Sequence, residues 1–199
     1  MKAGILFSGG KDSSLAAVML SRDYEVELNT FVFDAQRGIT SVEHAAEALG
    51  LPLIKRVFQK GLMEEIIAMI IRCGFVNDAI NMVHRSALHV MAEIYEVVGD
   101  GTRLQDRVPM LTKSETQSLA DRYGCSYVRP LLGFGKREVQ RLSDRYFVVL
   151  YGESGEIMNG DYEGEIRQAL HEQGCSVPDL FPPFHQQSLV VGKKERDFS

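Results

Sequence analysis

Ala3-Gly4-Ile5-Leu6-Phe7-Ser8-Gly9-Gly10-Lys11-Asp12-Ser13-Ser14-Leu15-Ala16-Ala17-Val18-Met19-Leu20 is the run that decides the fold. Its apolar start ends in Ser-Gly-Gly and passes into an Ala- and Leu-rich segment. That order predicts a buried strand, a tight turn and a helix whose N-terminus faces the turn. The first N–H groups of such a helix have no intrahelical partner, and the helix dipole favours an anion there by about 0.3–1 kcal/mol. Gly9 and Gly10 carry no Cβ, so the backbone can come close to a ligand. The turn is therefore expected to cradle phosphate. Two other phosphate patterns do not fit. A Walker loop needs Gly at position 5 and Ser or Thr at position 12, where the chain has Ile5 and Asp12. The dinucleotide fingerprint needs a G-x-G-x-x-G spacing that Gly9-Gly10 lacks.

Outward from this run, strand and helix signals alternate. Tyr24 to Phe33 is rich in β-branched, Leu and aromatic residues and predicts a second strand with Asp34 at its carboxyl end. Ser41 to Leu49 predicts a helix stopped by Gly50, and Leu51 to Val57 a third strand. Gly61 to Glu96 reads as helical with a break near Gly74 to Asn77, followed by a strand over Tyr95 to Val98 and a charged loop from Gly99 to Pro109. Lys113 to Tyr123 predicts a helix stopped by Gly124, Ser126 to Arg129 a fifth strand, and Lys136 to Asp144 a further helix. The alternation predicts a doubly wound, mainly parallel α/β sheet of five strands with helices on both faces and the first strand central. His84 and His89 stand five apart, a spacing that does not place both on one helix face and argues against a shared metal. His84-Arg85 either reaches a phosphate or belongs to a solvated helix turn.

A chain of 199 residues suits one domain with a modest extension, and 45% hydrophobic with 25% charged residues is ordinary for a globular protein. A net charge of −5 argues against a broad basic surface, so nucleic acid is compatible with the chain but not indicated. Met1-Lys2 leads straight into the first strand without a secretory pattern, and apolar stretches such as Ile66 to Ile71 fall short of the ~20 residues that span a bilayer. A cytoplasmic location and no membrane contact are expected. Cys73, Cys125 and Cys175 are odd in number and contain no C-x-x-C, which argues against disulfide scaffolds and zinc ribbons; each is expected as a buried small residue.

Ser8-Gly9-Gly10-Lys11-Asp12-Ser13 resembles the S-G-G-x-D-S signature of the PP-loop ATP pyrophosphatases. This is the adenine nucleotide alpha hydrolase-like superfamily that includes GMP synthetase, asparagine synthetase, tRNA-thiolation enzymes and diphthine–ammonia ligase. The loop from Gly99 to Pro109 is similar to the second signature of that superfamily. It keeps Gly101-Thr102 and Asp106, with Gln105 where the first of two acidic residues stands. Arg129-Pro130-Leu131-Leu132-Gly133 and Lys136-Arg137-Glu138-Val139 resemble the R-P-L-L-x-x-x-K-x-E-[IV] segment. The resemblance covers residues 1–145 as a PP-loop domain and leaves residues 146–199 as a C-terminal extension packed on it or on a partner subunit. In that extension Gly160-Asp161-Tyr162-Glu163-Gly164-Glu165 echoes an acidic Gly-rich element of diphthine–ammonia ligases. The run after Phe181-Pro182-Pro183 is expected to add a strand to a sheet edge or to reach a neighbouring subunit.

The resemblance implies that ATP is cleaved to AMP and pyrophosphate. An acceptor oxygen attacks the α-phosphorus, and an amine or sulfur donor then displaces AMP. It implies Mg²⁺ held by Asp12, and pyrophosphate cradled by Gly9, Gly10, Lys11 and Ser13 with Ser8 and Ser14 in support. Arg103 and Arg107 would neutralise the leaving group, with Gly101 and Thr102 in the same loop, and Asp106 would orient the metal or Lys11. Phe33 and the backbone at Asp34 would contact adenine. Arg129 and Lys136 either line the nucleotide site or serve as salt-bridged scaffolding. Asp12, Lys11, Arg103 and Asp106 form the catalytic set. The acceptor stays open, a separate ammonia or sulfur donor protein is an implied partner, and a homodimer is compatible. The contrasting reading is a non-catalytic adenine-nucleotide sensor like the universal stress proteins. Their glycine pattern is absent, and the presence of Asp12 favours an enzyme.

Overall fold

The computed structural model describes residues 1–106, 108–153, 156–181 and 186–194. Along the chain run β1 (Lys2–Leu6), α1 (Lys11–Leu20), β2 (Glu25–Val32), α2 (Thr40–Leu49), β3 (Leu53–Val57), α3 (Leu62–Cys73), α4 (Val76–Ala92), β4 (Val97–Gly99), α5 (Lys113–Tyr123), β5 (Ser126–Val128), α6 (Lys136–Tyr146), β6 (Phe147–Glu153), α7 (Glu163–Glu172), α8 (Val177–Leu180) and β7 (Gln186–Lys193). The first five strands form one sheet in the order β3-β2-β1-β4-β5. Every pairing in it is parallel, with Ile5 of β1 opposite Leu28 on one side and Gly99 on the other. The expected five-stranded parallel sheet with β1 at its centre is what the chain forms.

Side chains of a strand alternate between faces, and β1 uses both. Ala3, Ile5 and Phe7 are buried with Leu15, Ala16, Val42, Ala45, Leu131 and Val139 on the face covered by α1, α2 and α6. The opposite face is covered by α3, α4, α5 and α7 through Ile66, Ile70, Val83, Leu88, Leu119 and Ile166. Gly4 turns to that second face beneath Tyr95: a Cβ there would stand 2.4 Å from the ring, so only glycine fits. Tyr95 itself lies outside β4, because its amide still donates to the Met91 carbonyl at 3.0 Å in the turn that closes α4, and the strand begins two residues later; its hydroxyl meets Glu27 at 2.9 Å and Asn29 at 3.2 Å. The break expected in the long helical stretch falls at Gly74, whose φ of 69° closes α3 in the left-handed conformation glycine favours.

The last strand departs from the expectation that it joins a sheet edge. β7 pairs antiparallel with β6 in a separate two-stranded sheet, with a register shift between Val148 and Val149, and Leu189 and Val190 pack into the α1–α2 side of the core. Two adjacent apolar residues of β7, Leu189 and Val190, are thus buried beside the Gly9-Gly10 turn at the irregularity in the β6–β7 pairing, which a free sheet edge would not achieve. Residues Pro182 to His185 of that tail lie outside the described residues. Cys125 is buried as expected, but Cys73 is exposed in the last turn of α3 and Cys175 is half-buried. Among the described residues no helix is long and apolar enough to cross a membrane.

Candidate functional site

The turn after β1 is built from its own polar side chains. Gly9 takes φ 79°, and Gly10 precedes α1 in extended conformation. The Ser13 hydroxyl donates to the Gly10 carbonyl at 3.1 Å and accepts from the Ser8 amide at 3.4 Å; the Gly10 amide donates to Ser8 Oγ at 3.4 Å. These bonds hold the turn while leaving the Asp12 and Ser13 amides, in the first turn of α1, without intrahelical partners. Ser14 Oγ is fully buried and has no hydrogen-bond partner among the described residues. Lys11 is buried, with Nζ 3.0 Å from Asp12 Oδ1. Among the described residues that oxygen accepts no hydrogen bond, because the lysine approaches off hydrogen-bonding geometry.

The second loop comes against the first. A Cβ on Gly101 would lie 2.6 Å from the Ser13 nitrogen and 2.7 Å from the Asp12 carbonyl carbon, so glycine permits the contact between the two loops. Arg103 Nε stands 3.5 Å from Asp12 Oδ2, and Asp106 accepts from the Arg103 amide at 2.7 Å, from Nε at 3.1 Å and from Nη2 at 2.6 Å. Burial would lower the Arg103 pKa, but Asp106 and Asp12 outweigh it and raise it further above its ordinary value. Asp106 thus orients Arg103, while Lys11 has Asp12 for its partner. Thr102 donates from its amide and its hydroxyl to Asp100 Oδ1, at 2.9 and 2.5 Å. Arg107 lies outside the described residues.

Phe33 and Asp34 are placed differently from the adenine contact expected of them. Their amides donate to Glu165 Oε2 at 3.0 and 3.3 Å, and the Phe33 ring packs on Phe58 with centroids 4.5 Å apart. Burial pushes the Glu165 carboxyl up, against the pull of those two amides and of Arg37. Arg129 lays its guanidinium over the Tyr127 ring at 5.2 Å, with Nη1 3.2 Å from Met110 Sδ, and Lys136 opens α6 with its amide toward Gln105 at 3.4 Å. Stacking on Tyr127 therefore holds Arg129, which forms no salt bridge among the described residues.

Sequence reasoning missed two parts of the site. One is a buried polar network. His84 is 2% exposed and Asp100 3%, with Nε2 2.8 Å from Asp100 Oδ2 and Nδ1 3.2 Å from the Tyr162 hydroxyl, so His84 is not part of a solvated helix turn. Tyr127 donates to the same Asp100 oxygen. Burial works to raise the Asp100 pKa, but hydrogen bonds from His84, Thr102 and Tyr127 outweigh it and hold the carboxyl below the usual carboxylate range. The Gly-Asp-Gly run at the end of β4 was the available signal. The other missed part is the C-terminal contribution. The Lys11 amide donates to Ser188 Oγ at 3.2 Å, the Val190 amide to the Gly9 carbonyl at 2.9 Å, and the Gly160 amide to the Ser8 carbonyl at 2.7 Å. Between the turn, α4 and the segment from Gly160 to Glu163 opens a cavity of about 550 Å³, rimmed by Ser8, Asp12, Ser13 and Arg103 at its polar end.

A parallel five-stranded sheet flanked by helices, with a Gly-rich turn and a cavity beyond the carboxyl ends of its central strands, defines a Rossmann-like α/β protein. Residues 1–192 match a family of unknown function, DUF7411, and the chain belongs to that family. A relative from Methanocaldococcus jannaschii, described as an uncharacterized protein, is 39% identical over 196 residues and aligns over 98% of each chain. A solved structure from the same organism, described as a predicted subunit of tRNA methyltransferase, superposes with a TM-score of 0.87 at 38% identity over 98% of both chains. An NH3-dependent NAD synthetase from Campylobacter jejuni, solved with a nitrate ion, is more distant, with a TM-score of 0.46 and 16% identity over 72% of this chain and 62% of that one.

Proposed function

We propose that the chain is a PP-loop ATP pyrophosphatase that transfers AMP to an acceptor oxygen and releases pyrophosphate. The observation that carries this reading is the meeting of two loops at the N-terminus of α1. There Asp12, Ser13 and an Arg103 fixed by Asp106 line the polar end of the cavity, with the Lys11 ammonium 3.0 Å from Asp12 Oδ1. In the reaction the acceptor oxygen bonds to the α-phosphorus and the bond from that phosphorus to the bridging oxygen breaks, so negative charge gathers on the departing pyrophosphate. The Asp12 and Ser13 amides, Lys11 and Arg103 stabilise that charge from fixed positions, and Asp106 keeps Arg103 from turning away.

Asp12 fits a hard cation. Among the described residues its buried Oδ1 has no hydrogen bond beyond the off-geometry approach of Lys11, and no cluster of three ligating side chains surrounds it. One carboxylate suffices for Mg²⁺, which keeps waters and takes substrate phosphates as its remaining ligands. Bound there, Mg²⁺ would neutralise phosphate charge.

Incubation with ATP and Mg²⁺ is expected to release AMP and pyrophosphate, slowly without an acceptor. Asp12→Asn, which keeps the side-chain size and removes its charge, is expected to slow release by roughly 10²-fold or more while circular dichroism stays unchanged. Cys73→Ala, Cys125→Ala and Cys175→Ala are expected to keep it. ADP with inorganic phosphate as products would overturn the reaction class.

A second reading, a nucleotide-binding module without turnover, draws on the Lys11 amide already being taken by Ser188. ATP binding with no product after prolonged incubation would favour it. The description of the Methanocaldococcus jannaschii structure supplies a partner class under either reading: another subunit of a tRNA-modifying assembly. With a net charge of −5 on this chain, this reading leaves the broad RNA-binding surface to that partner.

A further inference from the structure

We infer that the nucleoside of the bound nucleotide lies in the cavity between the Gly9-Gly10 turn, α4 and α8, and that Asn77 reads its base. This rests on the ATP reading above and departs from the base position at the end of β2 that the resemblance implied.

Phe31, near the end of β2, lines the large cavity, but space excludes a base beyond it, on the far side of Gly160. Gly160 is wedged there: a Cβ on it would stand 2.6 Å from Thr30 Oγ1, 3.2 Å from a Val42 methyl and 3.3 Å from the Ser8 Cα. The wedge is tied on both sides, by the Gly160 amide on the Ser8 carbonyl at 2.7 Å and by the Ser41 hydroxyl on the Met158 carbonyl. The gap left between Arg37, Ser41, Gly160 and Glu165 is about 20 Å³, room for a water and not for a purine. Hydrogen bonding excludes it too. A purine ring nitrogen needs a donor, and the Phe33 and Asp34 amides at that strand end both donate to Glu165.

On the other side of Gly160 to Tyr162 the dimensions reverse. The cavity of about 550 Å³ falls within the roughly 300–1,000 Å³ of small-molecule sites, and its polar end is the proposed phosphate cradle. Away from the cradle its lining turns apolar, with Val76, Ile80, Val108 and Phe181, the last held by Arg167 over its ring at 4.2 Å. A flat base suits such walls. Asn77 stands among them in the first turn of α4 and offers a carboxamide. That group pairs in two bonds with the amino group and ring nitrogen of adenine, a pairing worth about 1–3 kcal/mol of discrimination between bases.

The test is photolabelling of the full chain with 8-azido-ATP and Mg²⁺, tryptic mapping, and competition by ATP. The inference expects ATP-protected label on peptide 73–85, which carries Val76, Asn77 and Ile80, or on peptide 168–193, which carries Phe181. ATP-protected label on peptide 38–55, which carries Gly38, Ile39, Ser41 and Val42 around the narrow gap, would overturn the inference and leave the ATP reading standing. If calorimetry detects no ATP binding at all, both fall. Asn77→Ala, an exposed position whose variant is expected to keep the fold, should weaken the preference for ATP over GTP by about 5- to 150-fold, the span of that pairing energy. An unchanged preference would remove Asn77 from base recognition and sink that half of the inference.

Discussion

Asp100 shows at the scale of one residue how the site is held. It is 3% exposed and accepts from His84, from the Thr102 amide and hydroxyl, and from Tyr127. A buried acceptor serving several donors leaves each of them unsatisfied when it is lost, at about 1–3 kcal/mol apiece. Asp100→Asn, which sets an NH₂ group against one of those donors, is expected to lower stability by about 2–3 kcal/mol near pH 7 in urea unfolding. Because the folded-state pKa lies below the unfolded value of about 3.9, the carboxylate's contribution is complete above that pH and is lost as pH falls through the folded value. The gap between wild type and variant should therefore narrow in acid. A gap that stays constant from pH 7 to pH 3 would show that the charge of Asp100 plays no part.

At the scale of elements, the site depends on two loops approaching within backbone contact. Gly101 has no strained φ to explain it; what it provides is room against the first turn of α1. Gly101→Ala places a methyl group against backbone atoms that cannot rotate away, at an overpacking cost of about 1–3 kcal/mol. The loop is expected to shift as a unit, carrying Arg103 away from Asp12. NMR should show altered amide shifts at Asp12 and Ser13 with β1 and β4 unchanged, and pyrophosphate release should fall by more than the loss of stability explains. Wild-type Asp12 and Ser13 shifts in the variant would refute the contact. The same loop, charged and bounded by Gly101 and Pro109, is expected to gain hydrogen-exchange protection when ATP and Mg²⁺ are added, and unchanged protection at saturating ATP would count against its closing on nucleotide.

At the scale of the whole molecule, the β6–β7 sheet acts as a clamp on the Gly9-Gly10 turn. Leu189 is 8% exposed, and its Cδ1 lies 3.1 Å from where a Gly9 Cβ would stand. Leu189→Ala is expected to destabilise the protein by about 2–5 kcal/mol. It should also release β7 first, making the chain beyond residue 180 the earliest site of limited proteolysis. Cleavage that begins in α3 or α4 would show that β7 is not the weak point.

The sequence by itself determined the parallel sheet, the central place of β1 and the Gly-Gly turn that leads into α1. These follow from short-range rules: alternation in Ala3, Ile5 and Phe7, a Gly-Gly turn, and glycine stops at Gly50, Gly74 and Gly124 that act within a few residues. The meeting of the Gly101 loop with the turn was legible too, because every strand of a parallel sheet delivers its following loop to the same end. Only the tertiary structure decided what surrounds that turn. Ser188 reaches the Lys11 amide across 177 residues, Glu165 takes the Phe33 amide across 132, and His84 meets Asp100 across 16. Nothing local marks such partners. They are selected when packing buries an unpaired amide or carboxylate, which must then be satisfied by whichever side chain the fold brings beside it.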